Sequence, residues 1–282
     1  MLRLQPPSHG MDKGPAMTPD ATFLHAFHAA HPGATSAALG HWQIDNTGRS
    51  SYDLLAEFLV AEAADEVAMD LGCGDGALAE QILAADGGPL AVIGVDASPD
   101  ELKKAKKRLR KQAVLHHGIA HYLPTPSEEL AGVGCHMALM LMQPIEEVVA
   151  EIARVLMPGG VLGAVVTTST TVEPSLQTFI AQLKGLPEDQ RRPRPALGDP
   201  RTRSAEGLQA LLAPHFSRIE ITEHALWTEG SAESLWASLS LTYDVFALTD
   251  AGRAALEASF KASVGKETTR CGQGVLMVRA WK

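Results

Sequence analysis

The chain has 282 residues, of which 45% are apolar, and a formal net charge of −9 at pH 7. This length suits one large domain or one domain with insertions, and the acidic balance argues against a general nucleic-acid binder. No apolar run reaches the length of a membrane span and no signal peptide is visible, so we expect a cytoplasmic protein. The three cysteines lack metal-ligand spacing, which fits a reducing compartment and predicts no metal site.

The first 50 residues divide into a tail and a helical segment. Residues 1–19 are rich in proline, glycine and polar residues, which is typical of disorder. A helix is predicted over residues 22–30 and a loop over 33–49. His25, His28 and His31 recur every third residue and therefore lie along one side of that helix. We interpret them as a polar face, with a metal site as the alternative.

A glycine-rich turn lies between two apolar strands in the next part of the chain. After a helix over 52–64, the strand Val67–Leu71 leads into Gly72, Gly74 and Gly76 and then a helix over 77–85. These glycines remove side chains where a ligand must lie against the backbone. The next strand, over 91–95, ends in Asp96, whose carboxylate can accept both hydroxyls of a ribose.

Two classes of cofactor, dinucleotides and a second class named below, are bound by this arrangement of strand, glycine turn and helix. Gly72, Gly74 and Ala77 fit the loose dinucleotide pattern, which keeps an NAD enzyme as an alternative. Asp70, inside the end of the strand, favours the second class, because a dinucleotide site usually has an apolar residue there. The stretch from Asp70 to Gly76 resembles the first motif of class I S-adenosylmethionine (SAM) methyltransferases, and the stretch 154–162 resembles the turn into their fifth strand. The resemblance covers roughly residues 51–168, and a domain of this fold without a cofactor is the further alternative.

This resemblance implies an α/β fold with a doubly wound, seven-stranded, mostly parallel sheet of strand order 3-2-1-4-5-7-6. The methyltransferase domain would span residues 51–282, with cap insertions at about 170–203 and 230–264. Residues 20–50 would form a lid, so that the N-terminus and the late insertion together build a helical cap. The last strand would be antiparallel to its neighbours.

The remaining elements follow in order. A capping box at Ser98 and Glu101 begins a helix whose lysines and arginines must point outward, because Leu102, Ala105 and Leu109 supply its buried face. A phosphate or RNA contact on that basic helix is the alternative. Strands are then expected over 113–116, 130–135, 161–167, 218–223 and 274–281, and helices over 145–156, 175–183, 204–212, 232–248 and 250–263.

The family implies a set of cofactor-binding residues at the carboxyl ends of the strands. They are Asp70, Gly72, Cys73, Gly74, Asp96, Ala97, Ser98, Ile119, Ala120 and His136. Ile119 stands where the family has an acidic residue that binds the adenine amino group. This departure leaves adenine recognition to backbone groups and to His121.

His136, at the end of the fourth strand, is the first candidate for a general base, with His28 and His25 of the lid behind it. The alternative is a histidine that only packs beside the cofactor.

The predicted function is SAM-dependent O- or N-methylation of a small organic molecule in specialised metabolism. The alternatives are an RNA methyltransferase and a SAM-binding protein with a non-methylation reaction. The expected partner is a small-molecule methyl acceptor, with neither membrane nor nucleic acid, and a homodimer stays open.

Overall fold

The computed structural model describes residues 18–44, 46, 48–171 and 173–282. Its helices are α1 (Pro19–Ala30), α2 (Ala34–Leu39), α3 (Ser51–Glu62), α4 (Ala77–Ala84), α5 (Pro99–Leu109), α6 (Ile145–Val155), α7 (Pro174–Gly185), α8 (Ala205–Leu212), α9 (Ala232–Leu239), α10 (Tyr243–Phe246) and α11 (Asp250–Val264). Its strands are β1 (Gln43–Ile44), β2 (Arg49–Ser50), β3 (Val67–Leu71), β4 (Ala91–Asp96), β5 (Ala113–His117), β6 (Leu130–His136), β7 (Leu156–Thr171), β8 (Arg218–Gly230) and β9 (Thr269–Trp281). Short 3₁₀ helices cover Leu139–Leu141, Glu188–Gln190 and Pro200–Arg203. Most of the predicted tail, residues 1–17, lies outside the described residues.

The described strands form one sheet in the order β5-β4-β3-β6-β7-β9-β8-β1-β2. The predicted sheet of seven strands is therefore wrong in its count and in its complete order. The seven predicted strands keep their predicted neighbours, and β1 and β2 extend the sheet beyond β8. Each added strand has only two residues, which is too short for an alternating pattern in the sequence. The last strand, β9, is antiparallel to both β7 and β8, as predicted.

Helix α3 packs closely on the middle of the sheet. A Cβ atom at Gly134 would lie 2.5 Å from Leu59 Cδ1, and one at Gly163 would lie 2.7 Å from Leu55 Cδ1. Leu55 and Leu59 are fully buried and form the apolar stripe by which this helix packs on the sheet. The close packing holds Tyr52, at the start of α3, against the end of β6.

The segments outside the sheet differ from the prediction in two places. The predicted loop 33–49 contains α2, and the predicted helix 232–248 is divided into α9 and α10. The division falls at Thr242, whose hydroxyl bonds the Leu239 carbonyl instead of continuing the helix. Among the described helices, none has both the length and the apolar character needed to cross a bilayer.

Candidate functional site

A cleft lies at the carboxyl edge of the parallel strands, where β3, β4 and β6 end beside one another. It encloses about 520 Å³, counting the part open to solvent. Its walls come from the glycine turn, from the ends of these strands, and from α1, α2, α3 and α10. The lining residues are His28, Gly33, Thr35, Ser36, Tyr52, Asp70, Gly72, Cys73, Gly74, Asp75, Leu78, Asp96, Glu101, His136, Met137, Ala138, Leu141 and Tyr243.

The glycine turn has left-handed backbone at Gly72 and Gly74, with φ of +71° and +52°. At Gly72 a Cβ would lie 2.5 Å from the Ala138 Cβ, so the neighbouring strand end already accounts for that glycine. At Gly74 the nearest described atom would be Glu101 Oε2 at 3.8 Å. Protein packing therefore does not require a glycine at Gly74, and a side chain there would enter the cleft.

Asp70 occupies the bottom of the cleft and is fully buried. Its carboxylate accepts a hydrogen bond of 3.1 Å from the backbone N–H of Ala79, in the first turn of α4. Burial, with the negative charges of Asp96 and Asp75, raises the pKa of Asp70 to about 7 against the effect of that hydrogen bond. One of the free backbone N–H donors at the start of α4 is therefore already bonded to an acidic side chain.

Asp96, at the tip of β4, fixes the turn around it. One carboxylate oxygen accepts from the Gly74 N–H at 2.8 Å and the other from the Ser98 N–H at 2.7 Å. Each oxygen has a second lone pair, so both can still accept a ligand hydroxyl. Burial raises the pKa of Asp96, while its two backbone donors and His28 oppose that shift.

A chain of hydrogen bonds closes one side of the cleft. Glu101, only 3% exposed, places Oε1 2.8 Å from Nδ1 of His28, and its Oε2 accepts from the Gly33 N–H at 2.7 Å. The other nitrogen of His28 lies 3.1 Å from the Tyr243 hydroxyl. Phe27, beside His28, packs on Tyr243 with ring centroids 4.4 Å apart. Helices α1, α5 and α10 are therefore joined by side chains that line the cleft.

A second contact ties the N-terminal segment to the glycine turn. Asp75 accepts from the Ser36 hydroxyl at 2.7 Å and from Nη2 of Arg108 at 2.5 Å. Arg108 also bonds Glu80 at 2.7 Å. This arginine of the basic helix therefore serves the cleft wall, while the four lysines of α5 are exposed, as predicted.

His136 is 6% exposed, and its ring stacks on Tyr52 with centroids 3.6 Å apart. Its Nε2 lies 2.8 Å from the Ser51 hydroxyl, whereas its buried Nδ1 has no hydrogen-bond partner among the described residues. Burial lowers the pKa of His136 to about 3. The ring is therefore neutral at pH 7 and is a weak base, which favours the packing alternative over the general base.

The structure brings together only part of the predicted site. Of the residues predicted to bind the cofactor or act in catalysis, seven line the cleft: His28, Asp70, Gly72, Cys73, Gly74, Asp96 and His136. Four of the others lie outside its lining, namely Ala97, Ser98, Ile119 and Ala120; Ile119 is 49% exposed. His25 is exposed on α1 and is not among the lining residues, so its catalytic role stays a prediction.

The comparisons with known proteins agree with this geometry. Residues 69–164 match the family model described as "Methyltransferase domain". Over these residues, about a third of its length, the chain is similar to the methyltransferase domains of the class I SAM-dependent family. SAM is the cofactor of this family.

Individual relatives resemble the methyltransferase domain only in part or at low identity. A trans-aconitate 2-methyltransferase of Rhodopseudomonas palustris is 40% identical over 86 residues, which cover 30% of this chain and 32% of that enzyme. The phosphoethanolamine N-methyltransferase 2 of Haemonchus contortus, solved with phosphomonomethylethanolamine and S-adenosylhomocysteine, has a TM-score of 0.58 at 16% identity, covering 95% of this chain and 61% of that one. The [4+2]-cyclase SpnF has a TM-score of 0.56 at 19% identity, covering 94% and 96%. The matched segment thus spans about a third of the length of the first curated relative, and the structural likeness shows the fold alone.

The residues of the methyltransferase cleft fit SAM. Asp70, Asp75, Asp96 and Glu101 surround it, and the cofactor carries two cationic groups, a sulfonium and an ammonium, against one carboxylate. Gly74, Asp96 and His136 all line this cleft, and the buried Nδ1 of His136 has no hydrogen-bond partner among the described residues. The methyl on the sulfonium is the group that such a cofactor supplies.

The sequence analysis did not predict Glu101 as a cleft residue. It assigns Glu101 only to a capping box, although Glu101, Ala105 and Leu109 lie four residues apart and so share one face of α5. The burial of Glu101 could have been predicted from that spacing. No local pattern in the sequence pairs Tyr243 with His28, 215 residues away.

Proposed function

We propose that the protein is a methyltransferase that transfers the methyl group of SAM to a small organic molecule, on oxygen or nitrogen. The observation that carries this proposal is the acidic cleft at the glycine turn. Its carboxylates, the buried Asp70 and Glu101 and the partly exposed Asp96, suit a cationic cofactor, and Asp96 can accept the ribose hydroxyls while it holds the turn.

The same cleft argues against an NAD enzyme. A dinucleotide places its pyrophosphate at the start of the helix after the glycine turn, where free N–H groups stabilise negative charge. Here Asp70 already accepts from the Ala79 N–H, and Asp75 lies immediately before Gly76. Two carboxyl groups next to this helix start would repel a pyrophosphate, whereas they attract a sulfonium compound.

The enclosure of the cleft supports a small acceptor. Helices α1 and α10 meet over it through His28 and Tyr243, and a macromolecular acceptor needs an open rim. The residues would act by holding the two reactants in line and excluding water, which supplies a large part of the rate in such transfers. His136, neutral and fixed by Ser51 and Tyr52, would form a wall beside the methyl group. If the acceptor must lose a proton, His28 is the candidate base, because its side chain is 20% exposed, lines the cleft and has Nδ1 beside Glu101.

The test is product analysis with SAM carrying a deuterated methyl group. The enzyme is incubated with labelled SAM and single acceptors, beginning with trans-aconitate because curated relatives are named for it. The proposal predicts S-adenosylhomocysteine in a 1:1 ratio to a deuterium-labelled product for at least one small acceptor. SAM binding without S-adenosylhomocysteine, together with chemical conversion of an acceptor, would favour a non-methylation reaction instead.

A further inference from the structure

The loop between α7 and α8 carries a set of arginines, most of which have structural partners. They are Arg191, Arg192, Arg194, Arg201 and Arg203. Arg191 donates to carbonyl groups at the end of α7, including that of Leu186 at 2.7 Å. Arg201 pairs with Asp199 at 2.7 Å and Glu146 at 2.6 Å. Both side chains hold the loop in place and are not available to a ligand.

Arg203 differs from the others because it is half-buried and lacks a counter-ion. Its Nη1 donates to the Thr167 hydroxyl at 2.8 Å, and no carboxylate among the described residues lies within 4.0 Å of it. The nearby Asp244 pairs with Arg194 instead, at 3.3 Å. Burial and the charge of Arg194 lower the pKa of Arg203. A buried cation without a partner is costly, so a ligand that supplies a negative charge would stabilise it.

The position of Arg203 relates it to the cleft. Thr167 lies on β7 two residues beyond Val165, which pairs with His136 across the two strands. The guanidinium is therefore held at the carboxyl edge of the sheet, next to the strand end that forms the cleft wall. Its charge also acts on Tyr243, a cleft residue, and opposes the rise in the pKa of that hydroxyl that burial causes.

A second cavity with the opposite charge lies on the other side of α10. Lys184, Arg191, Arg192 and Arg194 line it, with Asp244 as its one acidic lining residue. Tyr243 lines the cofactor cleft and its neighbour Asp244 lines this cavity, so α10 stands between the two. The first cavity is acidic and suits a cation, whereas the charged side chains that line the second are mainly basic, and Arg203 is not one of them.

We propose that the methyl acceptor is a small anion, with a carboxylate or a phosphate group, and that Arg203 binds its negative charge. The Nε and Nη2 atoms of Arg203 have no hydrogen-bond partner in the described parts of the chain, and an arginine fork matches a carboxylate or phosphate with two parallel hydrogen bonds. This inference rests on the proposed methyl transfer and specifies the class of its acceptor.

The experiment measures anion binding by calorimetry in the presence of saturating S-adenosylhomocysteine. The probes are trans-aconitate, succinate, inorganic phosphate, and the trimethyl ester of trans-aconitate as a neutral comparison. The proteins are the wild type, Arg203→Gln, Arg203→Lys and Arg192→Gln, the last being a matched loss of charge at an exposed position of the same loop. Affinity for S-adenosylhomocysteine and the melting temperature are measured for all four.

We expect the wild type to bind at least one of the three anions and to bind the ester much more weakly. Arg203→Gln should weaken that anion about ten- to a hundredfold, since hydrogen bonds to a charged group contribute about 1.5–3 kcal/mol. The anion affinity of Arg203→Lys should lie between those of the wild type and Arg203→Gln, and that of Arg192→Gln should stay near the wild-type value. The anion that binds best distinguishes a carboxylate from a phosphate.

The inference is overturned if none of the anions binds the wild type, if Arg203→Gln binds them normally, or if Arg192→Gln weakens them equally. In each of these cases normal binding of S-adenosylhomocysteine would leave the proposed methyl transfer standing. Failure of the wild type to bind S-adenosylhomocysteine would overturn the proposed function, and this inference with it.

Discussion

Glu101 Oε1 and His28 Nδ1 lie 2.8 Å apart and join the helix after β4 to the first helix of the chain. Tyr243 extends the connection to α10 through the other nitrogen of the imidazole. Three segments that are far apart in the sequence thus meet over the cleft through one histidine. Replacing His28 should therefore weaken the packing of α1 on the rest of the domain.

The first prediction is that His28→Ala increases amide hydrogen exchange in residues 19–30. The variant removes both contacts of the imidazole, with Glu101 and with Tyr243, and leaves the sheet untouched. His25→Ala is the matched control, because His25 lies on the same helix and is exposed. Exchange measured by mass spectrometry should rise in α1 for His28→Ala alone; equal exchange in the two variants would contradict the role of this contact.

Gly74 of the glycine turn has a matched control in Gly159, which lies outside the turn. Both have positive φ, and a side chain at Gly159 meets nothing within 4 Å in the described structure. Alanine at either position should cost about 1–2 kcal/mol of unfolding free energy through backbone strain. Only Gly74→Ala should also lose SAM affinity, because its Cβ enters the cleft. Calorimetry measures the SAM affinity of the two folded variants. Equal affinities would show that Gly74 does not face the cofactor.

Asp70 predicts a pH dependence of cofactor binding. Its pKa is raised by burial from 3.8 to about 7, so the folded protein keeps a proton that the unfolded chain loses between these values. Asp70 therefore lowers the stability increasingly as the pH rises from 3.8 toward 7. A cationic cofactor favours the ionised carboxylate, so SAM affinity should increase between pH 5.5 and 7 with release of a proton.

The control for this titration is Asp70→Asn, which retains every other ionising group of protein and cofactor. Its SAM affinity should change less with pH than that of the wild type over the same range. Calorimetry in two buffers of different ionisation enthalpy measures the protons released. Identical pH profiles for the two proteins would mean that Asp70 does not titrate on binding.

For His136 we predict that the asparagine variant keeps most of the methyl-transfer rate. The pKa of about 3 lies below the unfolded value of 6.5, so this buried imidazole contributes stability above pH 6.5 that is lost as the pH falls toward 3. It does not change its charge between pH 6 and 9, and rate–pH profiles of wild type and His136→Asn should have the same shape there. A rate loss of about 10²–10⁴-fold would restore His136 as the general base.

The central part of the fold could be predicted from sequence because local signals and a family resemblance agree there. The strand Val67–Leu71, the glycine turn and Asp96 lie where they were expected, since apolar runs and glycine turns are local properties. The added strands β1 and β2 could not be predicted. The edge of β8 offers backbone partners to β1 from more than 170 residues away in the chain, and β2 then pairs with β1.

In the cleft wall, too, some residues could be predicted from local sequence and others depend on contacts between distant elements. Asp70, Gly74 and Asp96 belong to one contiguous motif, and sequence alone placed them together. His28 was predicted as a residue of the lid, but its contacts with Glu101 and Tyr243 could not be, because these partners come from other elements. The low pKa of His136 is a consequence of burial under Tyr52, which depends on how α3 packs and not on the residues next to His136.

The most direct test of the central claim is a parallel titration of the wild-type protein with SAM and with NAD. The acidic cleft predicts that SAM binds and that Asp96→Ala weakens it about tenfold or more, since the carboxylate both accepts the ribose hydroxyls and holds Gly74. NAD should not bind, because its pyrophosphate would face Asp70 and Asp75. Tight NAD binding, or SAM affinity unchanged in a folded Asp96→Ala variant, would contradict the account.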